Sequence, residues 1–215
     1  MIHKAKKSLG QNFLKSEKAL DKMCEASDLN NKGVVLEIGP GKGALTKKLL
    51  EKVSTVIAIE KDDNLFLFLK EKFATEIKDK RLILKNEDIL DFDLNKIKSY
   101  KVIANIPYNI TGLIIRKFLT SKNQPSQMTL LVQKEVAERI VARDKKESIL
   151  SLSVKAYGNP SYIMKVNKRF FSPSPKVDSA IITIKAIGRN NFESEKEEIL
   201  FFELIKSGFA HKRKI

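Results

Sequence analysis

Apolar, β-rich runs alternate with amphipathic helical stretches through about residue 142, and that alternation is what most limits the fold. Val34-Val-Leu-Glu-Ile38 reads as a buried strand, followed by a glycine-rich turn. A helix is expected from Ala44 to Lys52, with Leu45, Leu49 and Leu50 on one face. Thr55 to Ile59 reads as a second strand and about Asp62 to Ala74 as a helix. Arg81 to Leu84 is a third strand, and Lys101 to Ala104 a fourth that ends at Asn105-Ile-Pro-Tyr108. A helix over Ile110 to Leu119, a fifth strand over Met128 to Val132 and a helix over Glu135 to Ala142 follow. Strands separated by helices of this length imply βαβ units and a mainly parallel sheet.

After Ile149 the pattern changes. Leu150 to Ala156, Ser161 to Val166 and Ser179 to Lys185 read as strands with turns between them, an antiparallel edge on the parallel sheet. Ahead of the sheet, Ser16 is placed to cap a helix carrying Ala19, Leu20, Met23 and Cys24. Cys24 reads as a small core hydrophobe. From Gly188 the composition turns polar, a helix spans about Ser194 to Ser207, and the chain ends in a basic run. The expected division is an α/β domain over 1–187, whose first 30 residues hold an N-terminal motif and helix, and a segment 188–215. In that segment a linker leads into a helix that either packs back on the sheet or begins a small helical domain.

Lys and Arg number 41 against 26 Asp and Glu, a formal net charge of +15. The excess points to a polyanionic partner, nucleic acid first, although a lysine-rich surface also serves solubility alone. The single cysteine excludes an intramolecular disulfide framework and any multi-cysteine metal site. The two histidines, His3 and His211, lie at opposite ends, so the interior offers no imidazole for a nucleophile couple or a metal. No metal site is expected. No stretch reaches the roughly 18 consecutive apolar residues of a membrane span. The basic N-terminus lacks the apolar run of a secretory signal, so a cytoplasmic location is expected.

Four constellations carry chemistry. In Val35-Leu-Glu-Ile-Gly39-Pro-Gly41-Lys-Gly43-Ala-Leu a strand feeds a glycine turn that opens a helix, an arrangement that lets backbone approach a nucleotide-like ligand. Glu60 ends the second strand, placed to accept hydrogen bonds from both hydroxyls of a ribose, or else a helix-start acid before Asp62 and Asp63. Asp88, after the third strand, is able to accept from an adenine amine, though a lone Asp here is also a common turn residue. Asn105-Ile-Pro107-Tyr108 follows the fourth strand. The Asn side-chain oxygen and a carbonyl freed by the proline would accept from a substrate –NH₂, and Tyr108 would stack on its base. An adenine amine is a poor nucleophile because its lone pair is delocalised into the ring. Two acceptors draw it toward a tetrahedral geometry, so that methyl transfer needs mainly positioning and no histidine base.

Together these residues resemble the class I S-adenosylmethionine-dependent methyltransferases that modify an adenine amine. More narrowly, the chain resembles the ribosomal RNA adenine dimethyltransferase family. That family includes the small-subunit (16S) rRNA enzymes, the erythromycin-resistance enzymes of 23S rRNA and mitochondrial relatives used in transcription. The resemblance covers nearly the whole chain and rests on five motifs in order. They are Lys7-Ser-Leu-Gly-Gln-Asn12-Phe-Leu14, Leu36 to Thr46, Asn105-Ile-Pro-Tyr-Asn-Ile110, Val132-Gln-Lys-Glu-Val-Ala-Glu-Arg139 and Phe171-Ser-Pro-Ser-Pro-Lys-Val-Asp-Ser179.

The resemblance implies a Rossmann-like fold with a mostly parallel seven-stranded sheet, and a C-terminal helical domain absent or only begun. It also implies an S-adenosyl-L-methionine pocket lined by Asn12, Leu14, Gly39, Gly41, Glu60, Asp88 and Asn105. Catalysis would fall to Asn105, Pro107, Tyr108 and Phe171, with Asn105 holding the amine and the two aromatics enclosing a flipped adenine. The products would be dimethylated adenines in 16S rRNA and S-adenosyl-L-homocysteine, formed by direct in-line transfer without a metal, by a monomer on the small subunit or its precursor.

Gln133 to Arg139, Pro175-Lys-Val-Asp-Ser179 and the terminal Ser207-Gly-Phe-Ala-His-Lys-Arg-Lys214 favour the small-subunit branch, while Lys42 in the glycine turn also suits the resistance branch. The chain departs from the family at Thr111-Gly112-Leu113, where Ser-Thr-Pro is common, and stops at Ile215 where relatives continue. Lys4, Lys6, Lys7 and the 211–214 cluster are candidate phosphate contacts. The competing readings are a 23S rRNA methyltransferase of the resistance type, a DNA adenine methyltransferase, a non-catalytic RNA-binding assembly or transcription factor, and a nicotinamide dehydrogenase.

Overall fold

The computed structural model describes residue 6 and residues 9–210. His3, His211, Lys4, Lys7 and the 211–214 cluster therefore lie outside the described residues.

A two-residue strand β1 (Phe13–Leu14) precedes helix α1 (Glu17–Ala26). The Ser16 hydroxyl accepts from the Ala19 amide at 3.3 Å and caps that helix, as expected. Then follow β2 (Val34–Ile38), α2 (Ala44–Leu50), β3 (Thr55–Glu60), α3 (Asp63–Lys72), α4 (Ala74–Lys78) and β4 (Leu82–Asn86). β5 (Tyr100–Asn105), α5 (Thr111–Thr120), β6 (Gln127–Gln133), α6 (Lys134–Val141) and α7 (Ile149–Lys155) come next. β7 (Asn159–Val166), β8 (Phe171–Ser172), β9 (Ser179–Lys185) and α8 (Glu195–Ala210) complete the order.

Seven strands form one sheet in the order β4-β3-β2-β5-β6-β9-β7. The first five run parallel, β9 is antiparallel to β6, and β7 is antiparallel to β9. Strand alternation splits the core in two. Leu36, Val102, Leu130 and Ile182 face α5 and α6 on one side. Val35, Ile103, Leu131 and Ile181 face α1 and α2 on the other, where Cys24 is buried as expected. The expected mostly parallel seven-stranded sheet is therefore present.

Two local expectations are overturned. Leu150 to Ala156 is not a strand: α7 occupies it, so the antiparallel edge has two strands rather than three. The alternation of Leu150, Leu152 and Val154 imitates a strand. The reciprocal Ser148–Ser151 capping box, with the Ser148 amide donating to Ser151 Oγ at 2.7 Å, starts a helix instead. The single helix expected over Asp62 to Ala74 is also interrupted. Phe73 leaves the helical conformation between α3 and α4, and its ring packs where a side chain on Gly43 would stand. Gly43 has φ +75°, and a Cβ there would meet the Phe73 ring at 2.5 Å, so both its conformation and its neighbour require glycine.

The C-terminal helix packs back on the sheet domain. Phe202 stacks on Tyr157 with ring centroids 5.8 Å apart, and Phe192 meets the Tyr157 ring edge-on at 5.6 Å. Among the described residues no helix is long and apolar enough to cross a membrane.

Candidate active site

Glu60 ends β3, Asp88 lies just past β4, Asn105 ends β5, and Gly39 opens the turn after β2. All four stand at the carboxyl edge of the parallel strands, where open α/β sheets take their ligands. They line one cavity of about 260 Å³. Asn12, Leu14, Gly41, Pro107 and Tyr108 line it too. Gly39 has φ +62° and nothing within 4 Å of where a Cβ would stand, so the absent side chain is part of the cavity.

The two oxygens of Glu60 grip its surroundings. Oε1 accepts from the Asp62 amide at 2.9 Å and Oε2 from the Gly41 amide at 3.1 Å. The strand-end acid thereby fixes the glycine turn, each oxygen keeping a lone pair for a ligand. Burial raises its pKa and those amides oppose the rise. Asp88 receives the Lys61 ammonium at 2.6 Å on Oδ2 and the Leu90 amide at 2.9 Å on Oδ1. Burial alone would raise it, but the Lys61 and Leu90 contacts prevail and hold the carboxyl below its ordinary value.

Asn105 is oriented from across the chain. Its Nδ2 donates to the carbonyl of Asn12 at 3.0 Å, which leaves Oδ1 as the acceptor. Among the described residues no hydrogen bond engages Oδ1 or the Ile106 carbonyl, the two acceptors the sequence pointed to. The N-terminal motif is tied to the end of β3: Lys6 Nζ and Gln11 Nε2 donate to Asp62 at 3.0 and 2.9 Å. Tyr108 stands on a single 3₁₀ turn over Tyr108–Ile110, next to Pro107.

Phe171, expected against the second face of an adenine, stands elsewhere in this structure. It is 3% exposed, packs in the core with Leu14 and Leu20, and does not line the cavity. It pairs with Leu14 in the β1–β8 ladder, a short sheet that residue patterning did not suggest. The aromatic added to the cavity wall is Phe13, over which Lys42 Nζ sits 5.0 Å from the ring centroid.

Glu37 is the acid that sequence reading passed over. It looked like one more strand residue, yet it is 1% exposed, lines the cavity, and its Oε2 has no hydrogen-bond partner. Burial pushes its carboxyl up to about 8, with Thr46 opposing and the Glu60 charge adding. The only advance signal was its place on β2, two residues before Gly39. Among the described residues no group of three His, Cys, Asp or Glu is arranged to hold a metal.

This strand order, glycine turn and row of strand-end acids define a class I S-adenosylmethionine-dependent methyltransferase. The model of the ribosomal RNA adenine dimethylase family matches residues 2–215, and the chain belongs to that family. It is 41% identical over 218 residues to ribosomal RNA small subunit methyltransferase A of Fusobacterium nucleatum, covering all of this chain and 81% of that protein. Among solved structures, a dimethyladenosine transferase from Plasmodium falciparum superposes with a TM-score of 0.81 at 30% identity, covering 94% of this chain and 72% of that one. The 23S rRNA methyltransferase ErmE gives a TM-score of 0.81 at 28% identity, covering 93% and 81%.

Proposed function

We infer that this chain dimethylates the exocyclic N6 amine of adenines in ribosomal RNA. We propose 16S rRNA of the small subunit or its precursor as the substrate, in the cytoplasm, with the protein acting as a monomer. The family and the 41% identity to a small-subunit methyltransferase support the assignment. The observation that carries the chemistry is Asn105, whose amide nitrogen is engaged by Asn12 while its oxygen stays available.

The cavity suits S-adenosylmethionine. Glu37 Oε2 is buried and unpartnered, and Gly39 leaves room a Cβ would fill. Bound there, S-adenosylmethionine supplies an electrophilic methyl on a sulfonium centre. Glu60 would accept from the ribose hydroxyls, Asp88 from the adenine amine, and Asn12, Leu14 and Gly41 would shape the walls. Glu37, buried on β2 just before the glycine turn, would face the ligand's cationic end.

On the target side, Asn105 Oδ1 and the Ile106 carbonyl would hold the amine in line with the methyl while Tyr108 stacks on the base. Pro107 keeps the chain from continuing the strand and frees that carbonyl. Phe171 reaches the opposite face only if the β1–β8 ladder shifts. No residue need act as a strong base, because the amine loses its proton readily once methylated; the site's task is placement. Every candidate residue lies within 1–187, which we propose as the catalytic unit, with 188–215 an appended linker and helix.

Asn105→Ala separates enzyme from scaffold. Loss of one positioned acceptor should cut methyl transfer by about 10²–10³-fold, while rRNA binding, measured by filter retention, persists. Unchanged transfer would contradict the assignment of Asn105.

A further inference from the structure

Ser179 closes the fifth sequence motif, and the function above gives it no part. Its Oγ lies 2.6 Å from the hydroxyl of Tyr108, across 71 residues of chain. Ser179 is fully buried, at 0% exposure, and opens β9 with Gln133 of β6 on one side and Val166 of β7 on the other. Its backbone is therefore held on both edges. Tyr108 stands on a single 3₁₀ turn that has no side-chain cap. That turn sets the Tyr108 backbone and leads directly into α5, and the hydroxyl contact is what ties the far end of the ring to the sheet.

We propose that Ser179 is a positioning residue for methyl transfer, anchoring the Tyr108 hydroxyl so that the ring presents its face to the target adenine. The inference rests on the reading of Tyr108 as the stacking ring. A bond at the para position pins the long axis of a tyrosine ring while leaving both faces open, which is what a stacking platform requires. The same bond completes a circuit around the site. Tyr108 is joined to β9, the chain before β9 carries β8, β8 pairs with β1, and Asn12 just before β1 holds Asn105. The amide that grips the amine and the ring that stacks the base are thus braced by one continuous path.

The test combines Ser179→Ala, Tyr108→Phe and the double variant. One readout needs no activity: the Cζ resonance of Tyr108 in protein labelled at its four tyrosines, assigned by its disappearance in Tyr108→Phe. The other is methylation of unmethylated small subunits, with S-adenosylmethionine affinity measured separately. The proposal expects the Tyr108 resonance to move in Ser179→Ala. It expects kcat to fall about tenfold in either single variant, the scale of one hydroxyl hydrogen bond, with no further fall in the double and cofactor affinity unchanged within about twofold.

Wild-type kcat in Ser179→Ala, or losses that multiply in the double variant, would overturn it. So would lost cofactor affinity in Ser179→Ala, the mark of a general structural role. If Ser179→Ala does not fold, Tyr108→Phe alone decides, since wild-type kcat there leaves the bond without a task. A wild-type chain that binds S-adenosylmethionine yet methylates no RNA would overturn the functional reading, and the positioning role with it, even where the Tyr108 resonance moves in Ser179→Ala.

Discussion

At the scale of single residues, the site is made by partners that occupy one atom and leave another. Asn12 takes the Asn105 nitrogen and spares its oxygen. The amides of Gly41 and Asp62 take one lone pair from each oxygen of Glu60. Glu37 is the exception, a buried acid with an orphaned oxygen. Its carboxyl holds its proton up to about pH 8 in the folded chain, against an ordinary value of 4.5. The folded state therefore keeps this group's full support below pH 4.5 and loses it progressively as the pH rises toward 8. Urea midpoints of wild type and Glu37→Gln measured across that range should converge on the acid side, with the variant gaining relative stability toward pH 8. Equal slopes would show that Glu37 is not protonated. Binding of a cationic ligand beside Glu37 should also expel its proton near pH 7, read by calorimetry in buffers of different ionisation enthalpy. Glu60, Asp88, Asn105 and Tyr108 were legible because each follows or ends an apolar strand run, the last two also flanking Pro107. Glu37 was not, because nothing in a strand's apolar alternation tells a buried functional acid from a misplaced one.

At the scale of elements, the parallel half was readable and the C-terminal half less so. β2, β3, β5 and β6 are short apolar runs bounded by turn residues, the pattern of strands buried on both faces. α7 was misread because its apolar residues alternate while its helix signal lies in two serines. That cap carries a prediction: Ser148→Ala should cost about 1 kcal/mol of stability, measured by denaturant unfolding, and an unchanged midpoint would remove the cap from the account. The β1–β8 ladder was invisible because two-residue strands far apart in sequence have no period of their own. The buried place of Phe171 follows from that ladder, since its pairing with Leu14 turns the ring into the core. Gly43→Ala tests the glycine turn. With a ring atom 2.5 Å from the new Cβ and φ at +75°, it should destabilise by about 1–3 kcal/mol. Gly39→Ala has open space but φ +62°, so it should cost about 1 kcal/mol of backbone strain and, by occupying the cavity, weaken cofactor binding as well.

At the scale of the whole molecule, charge is sorted by depth. The chain carries +15 overall, yet among the described residues four acids, Glu37, Glu60, Glu87 and Asp88, line the cavity against two lysines, Lys42 and Lys61. A basic exterior suits a polyphosphate chain and an acidic pocket suits a cationic cofactor. Raising salt from 50 to 200 mM should therefore weaken rRNA binding steeply while leaving S-adenosylmethionine affinity nearly constant. Parallel losses would place the cofactor at the surface. The sequence left open whether its last helix returns to the sheet, because an isolated amphipathic stretch does not name its partner. The deciding residue is Arg189, whose guanidinium reaches Glu198 at 3.0 Å and the carbonyls of Ser121 and Thr120 at 2.9 and 2.8 Å.

The central claim is that an acid-lined cavity and an Asn-Ile-Pro-Tyr strand end deliver methyl groups to adenine in small-subunit RNA. It is tested most directly by incubating the protein and methyl-labelled S-adenosylmethionine with unmethylated small subunits, with 23S rRNA and with DNA, then digesting each to nucleosides. The account predicts label in N6-dimethyladenosine from the small-subunit RNA alone. Label confined to 23S rRNA or DNA would contradict the substrate assignment, and no label in any of them would contradict the reaction.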